Sequence, residues 1–180
     1  AFKFGDTLVK FSEPVFHGPA NSELGWILMT SIEYDDEKML FASDVQGPMC
    51  DKTLETILAE QPHLIIIGGP PTYLGGFRVK EEHIALGMQN SEKIAMNVPV
   101  MVLGHHLLRH EQWKQSSLPI LDAAKKSGHS VITAAEFLGK ENNPLEFRRK
   151  LLFELEPPGA DFERWMRIPL PKRKLVKPPI

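Results

Sequence analysis

Hydrophobic and polar positions change rhythm once along this chain. Up to Ser43 the apolar residues come in short pieces, Phe2 to Phe4, Thr7 to Phe11, Pro14 to Phe16, Leu24 to Tyr34 and Lys38 to Ser43, parted by Gly5-Asp6, Ser12-Glu13 and Asp35-Asp36-Glu37. Short apolar runs between Gly and Asp signal strands and turns, so a hairpin, a bend and a second hairpin are expected. Beyond Ser43, helically spaced segments alternate with continuous apolar runs. Leu54, Ile57 and Leu58 give Lys52 to Glu60 a helical stripe, and Lys80 to Met96 is helical as well, while His63 to Ile67 and Val98 to Leu103 read as buried strands. A helix at Ser117 to Lys126, a strand at Ser130 to Ile132 and a short helix at Ala134 to Leu138 follow. A last helix runs to about Leu155, with Asn143 as N-cap before Pro144. This alternation predicts an α/β (α+β) domain over residues 1–155, its sheet covered on one face by helices. From Glu156 on, Pro157, Pro158, Pro169, Pro171, Pro178 and Pro179 describe a Pro-rich basic tail, residues 156–180, without a core of its own.

Potential metal ligands sit where three of the apolar pieces stop. Pro14-Val15-Phe16 leads into His17-Gly18-Pro19, Met39 to Ser43 leads into Asp44, and Val98 to Leu103 leads into Gly104-His105-His106. A strand fixes the direction of the side chain at its tip, and a neighbouring Gly or Pro lets the backbone turn close to an ion. Alone, a His before Gly-Pro is a turn residue and an Asp after a strand is a cap. Three such residues at three strand ends point to a metal instead.

The 180 residues suit one domain, and 42% hydrophobic with 24% charged residues is ordinary for a chain with a real core. A formal charge of −2 and a pI near 6.4 exclude any global attraction to nucleic acid or anionic membrane. The longest apolar runs, such as Leu64 to Ile67, are strand length, and no basic-then-apolar signal opens the chain, so no membrane association and a cytoplasmic location are expected. The single cysteine, Cys50, fits a reducing compartment and reads as a small structural residue rather than a ligand.

Four stretches carry a resemblance. Leu40 to Pro48, Gly69 to Leu74, His105 to Arg109 and Thr133 to Gly139 resemble, in that order, an uncharacterised archaeal (UPF0282-like) branch of the metallo-β-lactamase superfamily, over about Phe2 to Leu152. The resemblance implies an α/β/β/α sandwich with metals at strand ends. Members carry a His-x-His-x-Asp-His loop in their first half, which this chain lacks, so it resembles the second half of such a protein. It implies two divalent ions, zinc by default with Mn or Fe as substitutes. Asp44 would be the bridging carboxylate, His17 a ligand of one ion and His105 of the other. Because adjacent side chains leave an extended backbone in opposite directions, only one of His105 and His106 is expected to face the metal. The family's pattern has an acid where Gly104 stands, and the chain departs from it there.

Two functions follow from different classes. One is a metal-dependent hydrolase acting on a phosphodiester or other ester, a substrate class drawn from fold-level analogy, once the missing N-terminal half is present. The other is a non-catalytic binding or scaffolding fragment that completes a site with another chain. The expected partner is that missing half or a second copy.

Three further features have plainer readings. His106 and His110 are spaced as in the His-Glu-x-x-His zinc proteases, but Glu111 follows His110 rather than His106. Gly68-Gly69-Pro70-Pro71 follows a strand as a phosphate loop would, yet its prolines lack the needed N–H groups. It reads as a rigid loop that sets Tyr73 either against substrate or into packing. In the tail, Arg164, Arg167, Lys172, Arg173, Lys174 and Lys177 surround Trp165, a composition that serves either a nucleic-acid backbone or a solvated end. His63, His83 and His129 have no motif behind them and are expected to be structural or solvated.

Overall fold

The two hairpins expected near the start open the sheet. In the computed structural model, which describes residues 1–179, β1 (Phe2–Phe4) and β2 (Thr7–Phe11) join through a tight turn in which Gly5 takes a φ of +59°. β5 (Thr30–Tyr34) and β6 (Glu37–Ala42) join through Asp35-Asp36, with Tyr34 opposite Glu37. Between them β3 (Val15–Phe16) and β4 (Trp26–Ile27) pair separately, with the Phe16 and Trp26 rings stacked at 4.1 Å.

After β6 the chain alternates as predicted. The elements are α1 (Asp51–Ala59), β7 (Leu64–Ile67), a 3-10 turn at Thr72–Leu74, α2 (Glu81–Asn97), β8 (Val100–Leu103), α3 (His105–Leu108), α4 (Trp113–Ser116), α5 (Leu118–Lys126), β9 (Ser130–Thr133) and α6 (Ala134–Phe137). The seven-stranded sheet has the order β1-β2-β5-β6-β7-β8-β9, antiparallel as far as β6 and parallel from there on. The molecule is therefore mixed α/β. Parallel pairing follows from the helical crossovers, which return each strand in the same sense.

One face of the sheet carries the core. Leu40, Ala42, Ile65, Ile67, Met101, Leu103 and Val131 pack with Leu54 and Ile57 of α1, Ile94 and Ala95 of α2, and Ile120 and Ala124 of α5. The opposite face is apolar too. Register aligns Phe2, Val9, Ile32, Met39, Leu64 and Val100 in one row across six strands, and Phe11, Phe41, Ile66, Val102 and Ile132 in the next. On that face Phe2, Phe11 and Phe41 are exposed, and only Val102 of the two rows is buried.

The expected strand Leu24 to Tyr34 is instead two strands with a break at Leu28-Met29. Met29 is buried in the core, and its backbone exchanges two bonds with Ser12, donating to Ser12 Oγ at 3.0 Å and accepting from Ser12 N at 2.9 Å. A continuous apolar run cannot show where the chain changes sheet. The final helix also starts later than expected. Thr133 and Glu136 form a capping box on α6, and Asn142 bonds both side chains, so the segment before Pro144 folds back on α6 and Asn143 caps nothing.

Residues Ala1–Pro144 form one compact unit and Leu145–Ile180 a second, placing the division eleven residues before the expected one. Within the second, a 3-10 turn at Glu146–Arg148 precedes α7 (Arg149–Leu155), α8 (Ala160–Met166) and α9 (Leu170–Arg173). None of its described residues is buried. Among the described residues, no helix is long and apolar enough to cross a membrane.

Candidate metal centre

The parallel strands β6, β7 and β8 end in register, with Ala42, Ile67 and Leu103 side by side. The next residues, Ser43, Gly68 and Gly104, therefore lie at one edge, where ligand sites of such sheets form. Close approach there demands glycine. A Cβ on Gly68 would lie 2.2 Å from the Ser43 carbonyl oxygen and 2.7 Å from His106 Cδ2.

Each ligand candidate is held by its own device. Asp44 begins a turn in which Gln46 and Gly47 both take positive φ, and Gly47 packs on Pro70 and on Gly87 of α2. Ser91 Oγ donates to the Gly47 carbonyl at 2.6 Å and Asn90 Nδ2 to the Pro48 carbonyl at 3.2 Å, so buried polar groups of α2 anchor the Asp44 turn. His17 donates its backbone N–H to the Gly25 carbonyl, and Gly18 leaves no room for a Cβ against the Gln46 side chain. The β3–β4 loop thus docks on the Asp44 turn.

The result is a cluster. His17, Asp44 and His106 each present a potential ligand atom, all within 4.8 Å of one another. His106 Nε2 lies 3.1 Å and His105 Nε2 3.4 Å from the same Asp44 Oδ1. Of the pair, only His106 joins the cluster, but the extended backbone assumed for the two is corrected. α3 begins at His105, so the backbone is helical rather than extended, and helical neighbours diverge by only about 100°. Their rings lie 4.1 Å apart. His105 shares Asp44 but is outside the three-residue cluster.

Electrostatics favour a neutral, ligating His106. Burial pushes its pKa down to about 4, helped by the neighbouring charge of His105 and opposed by Asp44. At pH 7 the ring is therefore uncharged, the state a metal requires. Its Nε2 is the nitrogen that faces Asp44, while Nδ1 is buried with no hydrogen-bond partner.

These residues fit a zinc-like ion. Bonds of 2.0–2.2 Å put tetrahedral ligand atoms roughly 3.3–3.5 Å apart. The 3.1 Å between His106 and Asp44 is close to that, and a ring nitrogen of His17 lies within 4.8 Å of both. Two imidazoles and one carboxylate are also the donor types zinc takes in sites that keep a position open.

Other sequence candidates fall elsewhere. His110 is not on a helix face with His106, because α3 ends at Leu108; its Nδ1 lies 3.1 Å from Thr72 Oγ1. Tyr73 is partly exposed on the turn after β7, and its hydroxyl accepts from Arg109 Nη1 at 3.4 Å. Cys50 is buried at the start of α1. His63 accepts from the Lys38 N–H and His129 lies 3.0 Å from the Ala95 carbonyl, both structural bonds. His83 is 3.9 Å from Glu82 on α2. In the second unit, Trp165 donates to the Val176 carbonyl and lies under Arg173, while Arg164 pairs with Asp161 and Arg167 with Glu163. The aromatic and three of the six cations of this basic segment, read as serving either a nucleic-acid backbone or a solvated end, are thus engaged within the unit. Sequence reasoning missed Arg109 and the Thr72–His110 pair, since contacts between two loops leave no periodic signal.

A cavity of about 510 Å³ lies between the β3–β4 loop and the turn after β7, and none of the cluster's own side chains lines it. Its walls include Pro19 beyond His17, Gln46 beyond Asp44, and Leu74 and Arg78 from the turn after β7.

No family model matches the chain, and no solved structure matches it. The chain is 36% identical over 157 residues to a UPF0282 protein of Korarchaeum cryptofilum, covering 87% of this chain and 52% of that one. It is 40% identical over 148 residues to one of Methanopyrus kandleri, covering 82% and 49%. A relative from Metallosphaera sedula is 35% identical over 164 residues, covering 91% and 53%. The chain spans about half the length of these curated relatives. Over most of its own length, it is similar to archaeal proteins named UPF0282 proteins.

Proposed function

We propose that this chain is one half of a metal-dependent hydrolase of the metallo-β-lactamase type and contributes part of its metal site. The observation that carries the reading is the convergence of His17, Asp44 and His106 from three separate segments. Asp44 would be shared between two ions, with His17, His106 and His105 as the candidate further ligands. A zinc ion, when bound, supplies a Lewis acid and a water ionised near pH 7. The chain's own residues hold the carboxylate in place and keep His106 neutral, and the cavity walled by Pro19, Gln46, Leu74 and Arg78 would take an ester substrate.

Purified chain should bind zinc at one or two equivalents, measured by elemental analysis after dialysis. Mn²⁺ and Fe²⁺ are tested the same way. No stoichiometric metal, with or without the rest of the protein, would end the hydrolase reading.

The same reading includes a second layer of sheet, supplied by the rest of the protein, on the apolar face that carries Phe2, Phe11 and Phe41. Support comes from the exposure of these rings and from relatives about twice as long. Exposed apolar faces of this kind drive association. In dilute sedimentation runs the 180-residue chain should therefore dimerise or aggregate, and Phe41→Lys should shift it toward monomer. A stable wild-type monomer with no partner would contradict the proposal.

A further inference from the structure

The cavity between the β3–β4 loop and the turn after β7 is lined by polar groups that nothing in the fold uses. Gln46 is 5% exposed, and its side-chain amide has no hydrogen-bond partner among the described residues. A buried carboxamide without a partner marks a place where a ligand can supply one. Gln46 also takes a φ of +58°, a strained conformation for a residue with a side chain. Two opposite charges line the same cavity. Glu23 stands on the loop wall and Arg78 on the turn wall, and neither forms an ion pair with the other or with any described residue. Leu24, Leu74 and Val79 make up the apolar part. Each wall is braced by its own backbone: Gly25 donates to Ser22 at 3.2 Å in one, and Arg78 and Val79 donate to Leu74 at 2.9 and 3.0 Å in the other.

We propose that this cavity binds a dipeptide-sized zwitterion. Its carboxylate meets Arg78, its ammonium Glu23, its central carbonyl linkage the Gln46 amide, and its apolar side chain Leu24, Leu74 and Val79. A carboxamide offers both donors and an acceptor, so it complements a linkage that carries a carbonyl. Opposite charges on opposite walls match a molecule charged at both ends, whereas a simple anion leaves Glu23 opposing it and a simple cation leaves Arg78. The volume of about 510 Å³ falls within the roughly 300–1,000 Å³ usual for small-molecule pockets. As a substrate class this rests on the hydrolase reading, with an ester as the linkage. Binding itself needs no metal, and a peptide linkage serves as the probe.

The probe is the dipeptide Ala-Leu, titrated calorimetrically into the 180-residue chain at fixed ionic strength, with and without zinc, alongside its N-acetylated and its C-terminally amidated forms. Wild type should bind Ala-Leu at millimolar concentration and each capped form about 3-fold more weakly, the value of an exposed ion pair. Arg78→Gln should no longer distinguish Ala-Leu from the amidated form, and Glu23→Gln should no longer distinguish it from the acetylated one. Gln46→Met, of similar shape, should weaken Ala-Leu at least about 5-fold. Its melting temperature should stay the same or rise, because the amide holds nothing in the free protein. A fall of several degrees would give Gln46 a structural role and overturn the proposal. So would a wild type that does not bind millimolar Ala-Leu, equal binding by Gln46→Met, or charge variants that discriminate as wild type does. If the chain binds Ala-Leu but holds no metal, the hydrolase reading fails and this assignment stands; zinc held without dipeptide bound is the reverse.

Discussion

Gly68→Ala should lower the melting temperature by roughly 6–12 °C, more than any other single added methyl at a comparable site. The added Cβ would meet a backbone oxygen, that of Ser43, at 2.2 Å, and His106 Cδ2 at 2.7 Å. A flexible side chain can swing away, but the Ser43 carbonyl belongs to the segment just past β6 and can move only by parting the tips of β6 and β7. Overpacking of this sort costs about 1–3 kcal/mol, and a backbone obstacle places the change at the upper end; for a chain of this size each kcal/mol moves the melting temperature by roughly 2–4 °C. Backbone conformation is not the cause, since Gly68 is not among the positive-φ glycines. Gly159→Ala, where a Cβ meets nothing within 4 Å, is the control and should stay within about 0.5 kcal/mol of wild type. Because the obstacle touches both Ser43 and His106, the same variant should lose metal. Calorimetric melting that shows Gly68→Ala as stable as Gly159→Ala would refute the packing described.

Asp44→Ala should weaken zinc binding by at least about 100-fold and cost more metal than His17→Ala. Loss of an outer-shell partner alone typically costs 10–100-fold, and Asp44 is both a direct ligand in the proposed site and the acceptor for His105 and His106. Without its charge, two divalent ions would face only neutral imidazoles. His17→Ala leaves that carboxylate and both other histidines in place, so one ion should persist. Asp44→Asn separates charge from shape: it should keep the fold and still lose metal. Full occupancy in Asp44→Ala, by elemental analysis, would remove the assignment. Equal loss in His17→Ala would remove the bridging role.

How much of this was legible in the sequence varies with the kind of signal. The helices α1, α2 and α5 and the strands β7, β8 and β9 lie within a residue or two of the expected runs, because burial on a sheet imposes a period that survives in the residue order. The Leu24 to Tyr34 run was misread as one strand, since its break is set by the Ser12–Met29 bonds and not by any change in hydropathy. The backbone at the two histidines was misread for a related reason. A strand-to-helix switch at Gly104 turns neighbours that would diverge into neighbours that share one carboxylate, and the pair His-His looks the same in either backbone.

The candidate ligands themselves could be picked from the sequence because each ends an apolar run, and a run's end marks a sheet's edge. Their meeting could not. His17 and His106 are 89 positions apart, and they approach only because β3–β4 docks on the Gln46 turn through Gly18 while β6, β7 and β8 stand side by side. Arg109 and Tyr73, and the apolar rows of the sheet's second face, belong to the same class. The sequence by itself determined which residues are apolar, where the elements begin to repeat and which side chains can ligate; these depend on local spacing and chemistry alone. Strand order, the partner of each turn and the common point reached by His17, Asp44 and His106 were decided by tertiary structure. Contacts between residues far apart in the chain depend on how the whole sheet packs, and no local pattern records that.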